Sequence, residues 1–422
     1  MSCKMPNEWV GATLGEVAKI EIGGTPSRNI SSYWAKKGQN GVPWLSISDM
    51  RTQDIYWTKE QITEEGSKNS NVKLIKPDTV LMSFKLSIGK IAINKVPLFT
   101  NEAIAAITPD TKKLNNIFLR YLLPYFVKYV ESDQAVKGKT LNKAKLNSLS
   151  LMLPPLTEQR RIAEILSSVD EAIAATQAMI EQTKKVKQAT LERLLTKGIG
   201  HTRFKRTEIG EIPETWKTLQ LQEVALVRTG LAKNKKEIVD TVELPYLRVA
   251  NVQDGYIDLS DLRTINVSRS QIERYRLMQG DVLMTEGGDY DKLGRGDVWD
   301  GAVDPCLHQN HVFAVRTDQT KILPEFLALL TASRAGKAYF QSCSKQTTNL
   351  ASINSTQVKE FPVRLPNLAE QHEILASINI QQELIKSMEV DINIKKKLKL
   401  ALMSDLLTGR KRVTDTLPLA AE

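Results

Sequence analysis

The chain has 422 residues, of which 41% are hydrophobic and 25% charged; these ordinary proportions exclude wholesale disorder and leave room for about two or three domains. Lys and Arg number 58 against 48 Asp and Glu, a net charge of +10, which points to an anionic partner such as nucleic acid or an acidic membrane, or else to a generically basic protein. No apolar run approaches the roughly 18 residues of a spanning helix. The start, Met1-Ser2-Cys3-Lys4, lacks the apolar stretch of a secretory signal. Cys3, Cys306 and Cys343 are far apart and odd in number, and there are only four histidines. A cytoplasmic, reducing setting without a disulfide framework or a histidine-rich centre is expected.

Taken in order, the predicted elements come twice. Residues 14–22 alternate loosely and stop at Gly23-Gly24-Thr25-Pro26. Residues 79–84 and 90–93 read as strands around Ser87-Ile88-Gly89, and residues 116–130 as a helix. A Leu153-Pro154-Pro155 turn ends this part. A long stretch without Pro or Gly then runs to Lys197, with Thr157 predicted as its N-cap and Glu158 in its first turn. The second copy offers strands over 244–252, 281–285 and 311–315, a helix over 324–341, a Leu365-Pro366 turn, and a second long stretch from Ala369 to Thr408. This is α+β patterning within each copy.

The correspondence is residue by residue. Trp9 matches Trp216 at a shift of 207, and Pro43-Trp44-Leu45 matches Pro245-Tyr246-Leu247 at 202. Val80-Leu81-Met82-Ser83 matches Val282-Leu283-Met284-Thr285, again at 202, and Phe118-Leu119 matches Phe326-Leu327 at 208. Leu153-Pro154, Leu156 and Glu158-Gln159 match Leu365-Pro366, Leu368 and Glu370-Gln371 at 212. A shift that drifts by a few residues while order is kept is what loop insertions produce. The chain is a tandem duplication whose period is too long for a solenoid.

Each long stretch carries an apolar seam with steps alternating four and three. The first seam holds Ile162, Leu166, Val169, Ile173, Ile180 and Leu194; the second holds Ile374, Ile378, Ile385, Met388, Ile392, Leu402 and Leu406. A 3.5-residue period is that of a coiled coil, and Gln381 and Lys395 are polar intrusions of the kind that set register. Helices of about 40 residues would span roughly 60 Å. Pairing the two helices with each other is the simplest way to bury both seams; one helix lying on each domain is the alternative.

Catalytic motifs are missing. There is no Walker loop, no G-x-G-x-x-G after a strand, no H-E-x-x-H and no C-x-x-C. Pro154-Pro155 lacks the flanks of an amino-methyltransferase motif. Cys306-Leu307-His308-Gln309-Asn310-His311 is the one cluster of soft ligands, but on a strand residues 306 and 308 face away from 311 and no fourth ligand is near.

The basic, glycine-containing turns are the candidate DNA contacts, because glycine lets a backbone approach phosphate while Lys, Arg, Asn and Gln meet phosphates and base edges. In the first copy they are Gly23, Gly24, Thr25, Ser27, Arg28, Ser83, Lys85, Ser87, Lys90, Lys137 and Lys139. In the second they are Arg228, Arg248, Thr285, Lys292, Arg295, Lys345, Gln346 and Asn349.

With these residues in view, the sequence resembles the DNA-specificity (S) subunit of type I restriction-modification systems over essentially its full length. Gly210-Glu211-Ile212-Pro213 with Trp216, Gly23-Gly24-Thr25-Pro26-Ser27, Ser87-Ile88-Gly89-Lys90 and Leu153-Pro154-Pro155-Leu156 with Glu158-Gln159 carry the resemblance. Asn367 stands where the first copy has Pro155, a departure expected to shift the turn but not its role. The resemblance implies two target-recognition domains, residues 1–152 and 199–363 (the latter with a linker), and spacer helices over 153–198 and 364–410, followed by a tail over 411–422. The helices would pair as an antiparallel coiled coil with pseudo-two-fold symmetry. Each domain would read half of a bipartite, asymmetric site in double-stranded DNA. Two modification (methyltransferase) subunits and two restriction-translocase subunits would be the partners, bringing S-adenosylmethionine, ATP and Mg; this chain would hold no cofactor or metal, perform no catalysis and touch no membrane. A coiled-coil scaffold without DNA binding, or a zinc-dependent enzyme using Cys306 and His308, are the competing readings.

Overall fold

The computed structural model describes residues 8–36, 38–85, 87–132, 142–232, 240–346 and 351–413, the side chains of 126–132, 291 and 346 excepted. Two compact units share the chain: Met1–Gln177 with Val390–Glu422, and Ala178–Glu389. The boundary cuts both long helices, Leu156–Lys197 and Leu368–Leu406. Each unit therefore holds one globular part, the start of one long helix and the end of the other.

In the first unit a five-stranded sheet runs in the order Ala18–Ile22, Ile104–Pro109, Val80–Ser83, Ile91–Asn94, Asp54–Ile55. A three-stranded sheet holds Glu60–Ile62, Val42–Leu45 and Phe99–Thr100, the last pair parallel with Leu45 opposite Thr100. The second unit repeats both. Ala225–Thr229, Val312–Thr317, Val282–Thr285 and Gly296–Val298 form one sheet, and Arg263–Ser268, Thr241–Leu247 and Leu307–His308 another, with Leu247 opposite His308. The duplication thus preserves register as well as element order. Val80–Ser83 and Val282–Thr285 are fully buried runs flanked by strands on both sides, which is why they read as continuous apolar segments rather than alternating ones.

Some local expectations change. Leu14–Val17 is a helical turn before the strand starts at Ala18, because Glu16 folds back to accept the Thr13 amide at 2.6 Å in a capping box. The helix expected over 324–341 is two, Pro324–Ala332 and Arg334–Cys343; Ser333 adopts extended backbone between them and its hydroxyl accepts the Gly336 amide at 3.1 Å. Thr157 is not an N-cap. The first long helix begins one residue earlier, and the Pro155 carbonyl accepts the Gln159 amide at 3.0 Å. In the second copy Asn367 is a true cap, its side chain accepting the Glu370 amide at 2.9 Å.

The long helices pair antiparallel within each unit. In the first, Lys399 meets Asp170 and Lys395 meets Thr176; in the second, Lys187 meets Gln382 and Lys184 meets Glu389. Ile162, Leu166, Ile180, Leu194, Ile374, Ile378, Ile385, Met388, Ile392 and Leu406 are buried, and Val169, Ile173 and Leu402 are half-buried. Each helix end packs into the other copy's globular part. Leu406, Leu407 and Val413 join Leu14, Phe118, Leu122, Ile162 and Leu166, while Leu191, Leu194 and Leu195 join Trp216, Phe326, Ile374 and Ile378. Burying a Leu is worth roughly 1.5–3 kcal/mol, so these ends are anchors rather than frayed tips.

The recurrent Glu-Gln pair at each helix start has a definite purpose. Gln159 accepts the Asn115 amide at 2.9 Å and donates to the carbonyls of Lys113 and Pro154, both at 2.9 Å. Gln371 makes the same three bonds, with the Leu323 amide at 2.9 Å, Lys321 at 2.8 Å and Pro366 at 3.0 Å. The neighbouring glutamates clasp the exit of the opposite helix. Glu158 takes both Arg412 nitrogens, at 2.8 and 2.9 Å, and the Val413 amide. Glu370 takes the Ile199 amide at 3.0 Å, His201 at 2.8 Å and the Trp216 indole at 2.9 Å.

Candidate nucleic-acid interface

Two loops, one per unit, are built on the same frame. In the first, Ser83 donates its amide to the Lys90 carbonyl at 2.9 Å and Gly89 donates to the Ser83 carbonyl at 2.9 Å. In the second, Thr285 donates to Arg295 at 3.0 Å and Gly294 to Thr285 at 3.2 Å. Gly89 and Gly294 both have left-handed backbone, φ 87° and 65°, a conformation that excludes most side chains. The hydroxyls of Ser83 and Thr285 are buried and bond inward, to the carbonyls of Ser87 and Lys292. Ser83 and Thr285 therefore close the loops and present nothing outward. The second loop is three residues longer than the first, and its Gly287–Gly288 strand pairs with Ala351–Ser352, which also pairs with Lys345–Gln346.

The glycines at the edge of each main sheet serve close packing first. A Cβ on Gly23 would lie 2.0 Å from the Thr100 carbonyl oxygen, and one on Gly230 would lie 2.2 Å from that of His308. Gly24 donates its amide to Thr100 at 2.8 Å and accepts the Trp44 indole at 2.9 Å. Beside it Thr25 donates to Glu102, and Ser27 offers its carbonyl to the Trp34 indole at 3.2 Å.

The candidate cations fall into two groups. Arg28 lies 3.7 Å over the Trp34 ring and forks onto Glu60; Arg248 donates to the Asp261 carboxylate at 2.8 Å and its carbonyl at 2.9 Å; Lys292 pairs with Asp289. Their hydrogen bonds hold the carboxyls of Glu60, Asp261 and Asp289 below the usual range. A phosphate would have to displace those carboxylates. By contrast, among the described residues Lys85, Arg228, Arg295 and Lys345 make no ion pair within 4 Å, although Lys85 acts on the Glu102 carboxyl and Arg295 on that of Asp289 from further off, and Lys90 reaches the Ile47 carbonyl, at 3.4 Å. Ser87 is exposed at the first loop's tip. Lys137, Lys139 and Asn349 lie outside the described residues, as does the side chain of Gln346.

Four polar side chains beside these loops were not among the residues that sequence reasoning assigned to the interface. Glu102 is exposed, and Asn310 occupies its place in the second copy at the 208 shift. Asn310 lies 3.3 Å from His311, which contacts Glu286. The signal was present: matched backbone frames carry unmatched polar side chains. Tyr56 and Trp57 are further exposed aromatics, at 63% and 74%.

The zinc reading fails on burial. Cys306 and His308 are enclosed; burial pushes the Cys306 thiol up to about 12 and His308 down to about 4, and His308 Nδ1 bonds the Val312 carbonyl at 2.7 Å. His311 lies elsewhere, on Glu286. Among the described residues no three potential ligands converge on a metal position. Nor is any helix among them long and apolar enough to cross a membrane.

Comparison with known proteins agrees with this architecture. The family described as the Type I restriction modification DNA specificity domain matches twice, over residues 6–185 and 213–400. The chain is 25% identical over 424 residues to the Type I restriction enzyme MjaVIII specificity subunit of Methanocaldococcus jannaschii, covering 97% of this chain and 94% of that one. It is 23% identical to the EcoKI specificity subunit of Escherichia coli, covering 89% and 82%. A 30% identity to the putative MjaX specificity subunit of M. jannaschii spans about half of each chain, 49% and 48%. Among solved structures, a chain from a study of complex assembly and conformational transition of the type I R-M system aligns over 97% of this chain and 100% of that one, with a TM-score of 0.65 at 18% identity. The HsdS subunit from Thermoanaerobacter tengcongensis aligns over 97% and 99%, with a TM-score of 0.51 at 16% identity. A duplicated frame with divergent loops, long paired helices and a family match covering both copies lead to one assignment: the chain belongs to the DNA-specificity subunits of type I restriction-modification systems, a family that recognises DNA sequence and leaves catalysis to other subunits.

Proposed function

We propose that this chain reads a bipartite, asymmetric site in double-stranded DNA, one half with each globular part, and that the paired helices fix the gap between the halves. The single observation that carries this reading is the pair of loops, 83–90 and 285–295, closed by the same backbone bonds yet differing in length and, among the described residues, in what they expose: Lys85, Ser87 and Lys90 in one, Asp289, Tyr290 and Lys292 in the other. Equal frames would present their residues to equivalent groove faces, and unequal residues would select different bases. Lys85, Lys90, Arg228, Arg295 and Lys345 are the cations free to meet phosphate or base edges.

Modification subunits dock on the helices in this reading. Apolar side chains left exposed there support it: Val390, Ile394 and Leu398 in the first unit, and Met179, Val186, Ile380 and Leu384 in the second. The tandem duplication suits two such subunits and two restriction-translocase subunits, all acting on DNA in the cytoplasm. S-adenosylmethionine, ATP and Mg belong to those partners.

Lengthening the ruler tests the reading. Seven residues inserted beside Gln182 in the first long helix, and seven at the facing position beside Ser387 in the second, add about 10 Å of helix, or about three base pairs. Methylation by the complex with its modification subunits should move to a gap longer by that amount, with both half-sites unchanged. A changed half-site at an unchanged gap would refute the ruler.

A further inference from the structure

Asp170, on the first long helix, gathers groups from three other elements. Lys399 of the second long helix approaches its carboxylate to 2.6 Å; Tyr121, on Asn116–Ser132, donates to it at 2.8 Å; Gln53, just before Asp54–Ile55, donates at 3.1 Å. Tyr121 in turn accepts from Arg120 at 2.9 Å, and Arg120 stands 3.9 Å from Asp54. Asp170 is only 15% exposed. Burial by itself would raise its pKa, but the hydrogen bonds from Lys399, Gln53 and Tyr121 outweigh burial and hold the carboxyl below the usual range. One ionised oxygen pair thus ties the recognition domain of the first unit to both helices at once.

The second copy shows what the node adds. The 212 shift carries Asp170 onto Gln382 and Lys187 onto Lys399, and Lys187 does bond Gln382. The helix-to-helix contact is therefore kept with a neutral amide. The links to the recognition domain are not, since Leu329 stands at the place of Tyr121 and Gly255 at that of Gln53. A carboxylate is not needed to pair the helices; in the first unit it also accepts from Tyr121 and Gln53, donors the second copy lacks. Buried charge pairs add little net stability and act best as devices that fix one geometry.

We infer that Asp170 is a positioning residue for DNA recognition: by joining Gln53, Tyr121 and Lys399 it holds the first recognition domain at one angle on the helix pair and so sharpens the gap length the complex accepts. This rests on the ruler reading. The test is methylation by the complex of this chain with its modification subunits, on duplexes whose gap is the preferred length or one or two base pairs longer or shorter. Asp170→Gln installs the amide that already pairs the helices in the second unit. Gln53→Ala with Tyr121→Phe leaves the Asp170–Lys399 pair intact and removes the domain's links to it, along with the Tyr121 hydroxyl's contacts to Arg120 and Ser167. Both variants should raise the rate on off-length gaps relative to the preferred gap by roughly ten-fold, the size of one charge-assisted hydrogen bond, with half-sites unchanged. A merely structural role would lower the rate on every gap alike and leave the ratio at its wild-type value; that outcome, with either variant, overturns the inference. If the unaltered chain methylates all gaps equally, the ruler reading itself fails, whatever the variants do.

Discussion

Truncating the two helix-start glutamates should have unequal costs. Glu370 is 8% exposed, and its Oε2 is the partner of the Trp216 indole, itself 1% exposed. Its other oxygen holds the Ile199 amide and His201, and Gly198, at φ 62°, packs so closely that a Cβ would fall 2.4 Å from that oxygen. In Glu370→Ala the indole N–H is left buried and unpaired, at about 1–3 kcal/mol, and the Ile199 amide loses a charge-assisted bond, for a total of about 3–4 kcal/mol. Glu158 is equally buried, but its chief partner differs. Arg412 is 26% exposed and also bonds Glu8 at 2.8 Å, so in Glu158→Ala water and Glu8 take over the guanidinium, only the Val413 amide loses its buried acceptor, and the cost falls to about 1–2 kcal/mol. Two units need not unfold as one, so hydrogen exchange resolved by segment under mild denaturant is the assay. Protection around Trp216 and Ile199 should drop in Glu370→Ala by at least ten-fold more than protection around Val413 drops in Glu158→Ala. Equal losses, or the reverse order, would show that the buried indole is not what makes the second clasp costly to break.

Further outcomes follow from the same geometry. Lys85→Ala and Arg295→Ala should each weaken specific DNA binding by about 1–3 kcal/mol if they read bases, with no change in melting temperature; binding titrations at several salt concentrations check this. Arg248→Ala should instead lower thermal stability, because its removal takes from the Asp261 carbonyl and carboxylate the shorter of the contacts they share with Asn251 and Arg263. His308 is buried and neutral, with a pKa of about 4 against an ordinary 6.5. The unfolded chain takes up that proton first as pH falls, so this contribution is whole above about pH 6.5 and is lost toward pH 4, about 3 kcal/mol across the window. His308→Gln should flatten the acid limb of a stability-versus-pH curve, and an unchanged limb would contradict the assignment. Gln159→Met and Gln371→Met should each destabilise by about 1–3 kcal/mol, since either leaves the Pro154 or Pro366 carbonyl without its buried donor and strips a half-buried amide and a second carbonyl of their side-chain partner.

Much of the fold was legible because duplication lets each half check the other. Matched runs such as Val80–Ser83 and Val282–Thr285 stand at matched sheet positions, and the seam from Ile162 to Leu194 is buried or half-buried at each candidate position. Periodicity tells which face of a helix is covered but not by what. That Leu406 and Leu407 enter the first copy's core, and Leu194 and Leu195 the second's, depends on the antiparallel crossing. The site was less legible for a related reason. Ser83 and Thr285 have the chemistry of contact residues but point inward as loop closures, and Arg28 and Arg248 are already engaged by Glu60 and Asp261. Residue type announces what a side chain can bond; only the neighbouring strands decide whether a carboxylate reaches it first. Thr157 failed as a cap on similar grounds, because Pro155 had already set the helix entry.

The central claim is two-headed recognition across a fixed gap, and the most direct measurement is the methylation pattern of a genome exposed to this chain together with its modification subunits. The account predicts a single motif made of two unlike half-sites separated by a constant number of unspecified bases, with methylation lost when the chain is omitted. A palindromic or continuous motif, or half-sites separated by variable gaps, would contradict it.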